Sequence, residues 1–400
     1  MNVELDQIRD YRLRAHHLDI KIPMDSLLLA AGACGLQNSP PGAWETAMLQ
    51  RLEGCTLEKL KEALYRDKSL LQAWSFRGAP VVFPAAHSSV FLTALLAREG
   101  EQPWIYTMGV AGALDFMQMS FDDLFLSTKE AVTYLDSHTI KSKEALDRIL
   151  AEIIERDLPE SKRELWRSPS MYGSPDKQTV GGAVVSFLLR PCSFSSLVVF
   201  GERQGASPTF TSFQNWTGHG AAAGEEDEAE RELVRRFLHC YGPASMDSFG
   251  AWLGCSRQQA KRLWNSVREE MEPVLVGKKT CYLLSADMES LLHPGRNDSR
   301  LMLLGAHDPY LDIRDRGVLL DSPALQKSVW RTVANPGAII KGGRVAGIWK
   351  TKSGKDKLDV EMTLFEPLEV QERKKLKDLA EEYGAFRLLD LKKCEITGAV

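Results

Sequence analysis

A chain of 400 residues, 44% apolar and 26% charged, has globular composition and exceeds one ordinary core, so two to four domains are expected. A formal net charge of -4 excludes a global basic field, so any DNA affinity must come from local patches. No apolar run is long enough to cross a bilayer, and Glu4, Asp6, Arg9 and Asp10 leave no signal-peptide core, so the expected setting is cytoplasmic, nucleoid-associated when DNA is bound, with no membrane partner.

In chain order, residues 24–34, 41–51 and 57–64 read as helices, the last led by the capping residue Thr56. Strand-like runs at 70–76 and 81–83 flank the turn Arg77-Gly78-Ala79-Pro80. The same order recurs: an amphipathic helix at 143–156, a second at 179–189, then strands at 197–200 and 208–212 around a tip at 202–205. Residues 219–228 read as a polar linker.

The clearest copy spans 228–284. A helix at 228–239 places Leu233, Val234, Phe237 and Leu238 on one face and stops at Gly242-Pro243. Ser245 caps a short helix through Leu253, Gly254 makes a tight turn, and Ser256 caps a third helix at 257–267. Strands at 271–276 and 280–284 close a hairpin with the basic tip Gly277-Lys278-Lys279. Three helices followed by a hairpin is the winged-helix pattern, a relative of helix-turn-helix. Its third helix would present Arg257, Gln258, Lys261, Arg262 and Arg268 to phosphates, although winged helices also serve as protein-interaction modules. Beyond Asn297 the texture changes to strands at 301–304, 338–340, 344–349 and 358–365, closed by a helix at 370–383. The expected class is α+β: tandem winged-helix units at 1–100, 101–218 and 225–296, then a β-barrel or antiparallel sheet with a terminal helix at 297–400.

The seven cysteines (Cys34, Cys55, Cys192, Cys240, Cys255, Cys281, Cys394) are isolated, odd in number and never spaced Cys-x-x-Cys. Free, mostly buried thiols and no metal are expected. His16 and His17 beside Asp19 read as structural or surface residues. There is no phosphate-binding glycine loop, nucleophile elbow or helix-hairpin-helix element, which lowers the weight of the familiar enzyme classes. The most unusual stretch is Gly35-Leu36-Gln37-Asn38-Ser39-Pro40-Pro41, whose amides either form a turn or aim into a cleft. Two later clusters share its density: His307-Asp308-Pro309-Tyr310 with Arg314-Asp315-Arg316, and Trp330-Arg331.

The order of Leu36-Gln37, Trp74-Ser75-Phe76-Arg77-Gly78, the 228–284 unit, Asp308-Pro309-Tyr310, Arg314-Asp315-Arg316, Trp330-Arg331-Thr332 and Gly342-Gly343-Arg344-Val345-Ala346-Gly347-x-Trp349 resembles the AlkZ/YcaQ family of winged-helix DNA glycosylases. The resemblance spans nearly the whole chain and implies three tandem winged helices with a C-terminal β-barrel, acting on alkylated bases that include bulky N7-alkylguanines and, in some members, interstrand crosslinks. The family's Gln-x-Gln or Gln-x-Asp motif falls on Gln37-Asn38-Ser39: Gln37 matches and Ser39 departs. A second departure is Ala79-Pro80-Val81, where the family commonly has Thr-x-His.

An amide oxygen can hold a water but is too weak a base to deprotonate it, which suits a leaving group already activated by positive charge. Asn38, Glu45 and Asp25 are near in sequence without being tied to the site. The expected function is therefore a monofunctional DNA glycosylase for cationic alkylated purines, with Gln37 orienting water and Ser39 assisting. It would act as a monomer without cofactor on double-stranded, alkylated DNA. Candidate DNA contacts are Arg77, Arg257, Lys261, Arg262, Lys278, Asp308, Tyr310, Arg314 and Arg316. The alternative is a non-catalytic winged-helix DNA-binding protein, a regulator or lesion sensor that has lost the full motif.

Overall fold

The computed structural model describes residues 1–101, 108–172, 178–220, 226–293, 295 and 300–398. Part of the expected 219–228 linker, 221–225, lies outside them. Two compact units divide the chain: one comprises Met1–Ala63, Val234–Trp252 and Val267–Val400, the other Leu64–Leu233 and Leu253–Ser266. Among the described residues no helix is long and apolar enough to cross a membrane.

The first unit is built on the helix Leu5–Ala15, begun by a capping box of Glu4 and Gln7. Its charged residues Arg9, Asp10 and Arg12 are buried, which the sequence pattern gives no reason to expect. Helix ends explain Arg12. The helix Glu226–Tyr241 stops at Gly242-Pro243, leaving carbonyls without intrahelical donors. Arg12 supplies them, reaching the carbonyls of Tyr241 at 2.6 Å, Gly242 at 3.1 Å and Pro243 at 3.3 Å, with Asp315 balancing its charge at 2.8 Å. A cation at a helix C-terminus also meets the negative end of the helix dipole.

Strands Met271–Val276 and Lys279–Leu284 form the expected hairpin around Gly277-Lys278. Its outer edge is covered by the N-terminal strand Asn2–Val3, which pairs parallel with Leu275 and Val276. The C-terminal strands Leu301–Leu304, Gly337–Lys341, Arg344–Ser353, Lys357–Leu364 and Asp390–Thr397 make one five-stranded sheet in that order. The sheet is open, so it takes the place of the expected barrel. It is also mixed rather than antiparallel, because Lys357–Leu364 and Asp390–Thr397 pair in parallel. A parallel pair needs a crossover, and the helix Val370–Phe386 provides it. That helix lays Leu376 and Ala380 on a core of Leu303, Ile339, Trp349, Val360 and Met362.

In the second unit, hairpins Leu70–Trp74 with Pro80–Pro84 and Val198–Gln204 with Ser207–Ser212 match the expected strands to within a few residues. Helices Lys143–Asp157 and Val180–Phe194 pack on a core that includes Trp74, Leu146, Leu150, Trp166 and Leu188. Thr179 caps the second of these by accepting from the Gly182 amide at 3.1 Å. Gly181 admits Trp166: a β-carbon there would lie 2.2 Å from the indole, whose Nε1 donates to the Ala151 carbonyl at 3.0 Å.

Candidate active site

The loop after helix Leu27–Gly32 carries the amides singled out in the sequence. Gly35 and Gly42 both take positive φ, 71° and 89°, and bracket a turn that returns the chain into helix Ala43–Arg51. Asn38 is buried, and its Oδ1 accepts from the Gly42 amide at 2.7 Å, closing the loop on itself. Of the two candidate catalytic residues, Gln37 is half-buried and Ser39 exposed. Gln37 donates Nε2 to the Ser39 backbone carbonyl at 3.2 Å. This brings the two together through the main chain, and it leaves Oε1 as the end of the amide able to accept from a water.

The loop is held from below by Arg387, at the end of the C-terminal helix. Its guanidinium donates to the Gly42 carbonyl at 2.7 Å and the Thr46 hydroxyl at 2.6 Å, and pairs with the Glu45 carboxylate. Glu45 is thereby committed to structure rather than to a reacting group. Asp25 is exposed on the short turn Met24–Ser26. Beside the loop opens a cleft of about 520 Å³ lined by Pro40, Pro41, Gly42, Arg331, Lys350 and Tyr383. Asn38 was legible as a turn former. Arg387 carries no sequence signal, because it reaches the loop across more than 340 residues.

The candidate DNA contacts separate into exposed and committed groups. Arg257 and Lys261 are exposed one turn apart on helix Arg257–Asn265, and Lys278 is exposed at its hairpin tip. Arg314 is exposed and donates to the Ala251 carbonyl at 3.3 Å. Arg316 is half-buried with its guanidinium 5.1 Å from the Trp330 ring centroid. Burial and the neighbouring Arg314 lower its pKa.

Arg262, Asp308 and Tyr310 are placed otherwise than expected, and Arg77 packs beside a glycine turn. Arg77 sits at φ 55° in its turn with its side chain against Gly254, where a β-carbon would meet Cγ at 2.8 Å. Arg262 is not a solvent-facing cation: it pairs with Glu101 at 2.6 Å and Glu230 at 2.6 Å. Burial pushes the Glu101 carboxyl up, but the bonds from Arg262 and the Arg98 amide outweigh it and hold the group below its ordinary value.

Asp308 and Tyr310 are corrected outright, since neither has surface to offer a phosphate. The Asp308 carboxylate takes a bidentate grip from Arg51 at 2.8 and 2.9 Å, both side chains at 2% exposure or less. It also caps the following turn by accepting from the Tyr310 amide at 3.0 Å. Tyr310 donates its hydroxyl to the Gly343 carbonyl at 2.9 Å, so the Asp-Pro-Tyr and Gly-Gly-Arg motifs meet inside the fold.

All seven cysteines are free, three of them buried and four half-buried. They are dispersed along the sequence, yet Cys34 and Cys240 converge with His16 in the interior. A hydrogen bond with Cys240 holds the Cys34 thiol well below its ordinary range against the effect of burial, with His16 adding to it. Separations of 18 and 206 residues match no metal-binding spacing, so only the fold reveals the group.

The family profile described as DNA glycosylase AlkZ-like matches residues 30–386, and the chain belongs to that family of DNA glycosylases. Among individual relatives, the chain is 23% identical over 362 residues to the interstrand DNA cross-link repair glycosylase of Streptomyces sahachiroi, covering 88% of each sequence. The solved structure of Streptomyces sahachiroi DNA glycosylase AlkZ superposes with a TM-score of 0.76 at 21% identity, covering 99% of this chain and 100% of that one. At that identity the likeness establishes a shared fold.

Proposed function

We propose that this glycosylase hydrolyses the N-glycosidic bond of cationic alkylated purines in double-stranded DNA by a monofunctional route, with Gln37 orienting the attacking water. The observation that carries the reading is the Gln37 amide: Nε2 is occupied by the Ser39 carbonyl, so Oε1 is the acceptor, held on a loop that Asn38 and Arg387 fix from both sides. An acceptor that orients water without abstracting a proton works when the leaving group is already a cation, as an N7- or N3-alkylated purine is. An amide cannot form a Schiff base with the sugar, which favours water as nucleophile over a lyase mechanism. Ser39 adds a hydroxyl beside that water.

The three helix-and-hairpin segments, at 1–100, 101–218 and 225–296, act in this reading as winged-helix units that engage duplex DNA through Arg257, Lys261, Lys278 and Arg314. The Streptomyces relative is named for interstrand crosslink repair, and the cleft beside Pro40 and Pro41 gives room for a bulky adduct, so crosslinked purines belong to the proposed substrate class.

The test is product analysis on duplexes carrying one N7-methylguanine, one bulky N7-alkylguanine or one N7-linked crosslink. Free base and an intact abasic strand are expected, with no strand scission and no covalent complex trapped by borohydride. Tight binding of these duplexes without base release would refute the enzymatic reading and favour a lesion sensor. A trapped complex would refute the monofunctional route.

A further inference from the structure

Three segments far apart in sequence bring soft donor atoms to one buried point in the first unit. His16 ends helix Leu5–Ala15, Cys34 follows helix Leu27–Gly32, and Cys240 lies in the last turn of helix Glu226–Tyr241. Their exposures are 2%, 3% and 0%, and one donor atom from each lies within 4.8 Å of the others.

The histidine is set for ligation. Its Nε2 lies 3.0 Å from the Cys240 carbonyl, which can only accept, so Nε2 carries the ring proton and Nδ1 is left with its lone pair. That lone pair stands 3.8 Å from the Cys34 sulfur. A histidine that donates one ring nitrogen to a backbone carbonyl and offers the other is the usual outer-shell arrangement of a metal ligand. Zinc bonds to sulfur and nitrogen at tetrahedral angles place a sulfur and a nitrogen about 3.5 Å apart, so the Cys34–His16 pair is close to bonding separation, and the three donors, all within 4.8 Å of one another, close on the ion by a modest contraction.

From this geometry we infer that His16, Cys34 and Cys240 form a structural zinc(II) site. Charge selects the ion. Two thiolates and a neutral imidazole cancel the charge of a divalent cation in a fully buried position, whereas copper(I) would leave a net negative charge there. The Tyr241 hydroxyl lies 3.8 Å from the Cys34 sulfur with a hydrogen bond to the Pro309 carbonyl at 3.1 Å, and puts an oxygen beside the fourth position. As a thiol, Cys240 donates to the Ala33 carbonyl at 3.5 Å. Zinc uptake forms two Zn–S bonds and one Zn–N bond to His16 Nδ1, breaks the two S–H bonds and releases their two protons to solvent, with no change of oxidation state. The site would fasten the segment three residues ahead of Gln37 to helix Glu226–Tyr241.

The test uses the full-length, untagged protein purified under reducing conditions without chelator. Elemental analysis should find close to one zinc per chain. Titration with an organomercurial should release that zinc to a chromophoric chelator as the thiols react. Cobalt(II) exchanged into the site should give a thiolate-to-cobalt charge-transfer band, lost in Cys34→Ser and in His16→Ala and kept in the control Cys192→Ser. The wild-type arms do not depend on whether the variants fold. Protein that neither retains nor takes up zinc or cobalt overturns the proposal. So does a Cys34–Cys240 disulfide in protein purified without oxygen, or zinc retained undiminished by the Cys34→Ser protein.

Discussion

The buried Arg51–Asp308 pair supports a quantitative prediction, because the same aspartate could be taken for a DNA contact. Removing the carboxylate by Asp308→Ala leaves the Arg51 guanidinium at 2% exposure, with the Ala47 carbonyl at 2.9 Å still accepting from it but its bidentate carboxylate partner gone. Breaking one partner of such a pair costs about 3–5 kcal/mol, since the other charge stays buried without compensation. The Tyr310 amide loses its acceptor as well, adding about 1 kcal/mol. Against a total stability of roughly 5–15 kcal/mol, the variant should lose a third or more of its folding free energy at the middle of that range. Urea unfolding followed by tryptophan fluorescence would read the loss as a lower midpoint at similar slope. The double replacement Arg51→Leu with Asp308→Leu should recover much of it, because no charge then remains buried. A stable Asp308→Ala protein with weakened DNA binding would refute this reasoning and return Asp308 to the DNA surface.

Other perturbations test other parts of the fold. Gly181→Ala should destabilise the second unit by about 1–3 kcal/mol through overpacking against Trp166, read as a lower melting temperature, and Gly182→Ala should cost less. Changing Arg257 and Lys261 together to Gln should lower the salt dependence of DNA binding by about 0.9 in log–log slope for each phosphate that is no longer neutralised, while an unchanged slope would remove that helix from the interface. The Glu101 carboxyl lies below its ordinary 4.5 when folded, so its pairing with Arg262 contributes fully above pH 4.5 and is lost as pH falls through the folded value. The stability difference between wild type and Glu101→Gln should therefore shrink below pH 4.5, and a constant difference would contradict that sign.

What was legible in the sequence is what local chemistry determines. Ser256 and Thr56 each accept from the amide three residues on, as capping candidates should. The hairpins around Gly205 and Gly277 follow from turn residues between apolar runs. What was missed is non-local. Strand Asp390–Thr397 alternates weakly and is fixed by parallel pairing after a crossover helix. Arg12 and Arg51 look like surface cations until the carbonyls and carboxylate that surround them are seen. The charge density of His307–Arg316 suggested a binding surface, whereas Asp308 and Asp315 within it neutralise interior arginines. In the candidate site, Gln37 and Asn38 were visible as misplaced amides, but their anchor Arg387 was not.

Whether Gln37 positions water for base release is read from single-turnover excision of N7-methylguanine by wild type and by Gln37→Ala. A rate loss of about 10²- to 10³-fold is expected, with DNA affinity and thermal stability unchanged. An undiminished rate in the variant would contradict it.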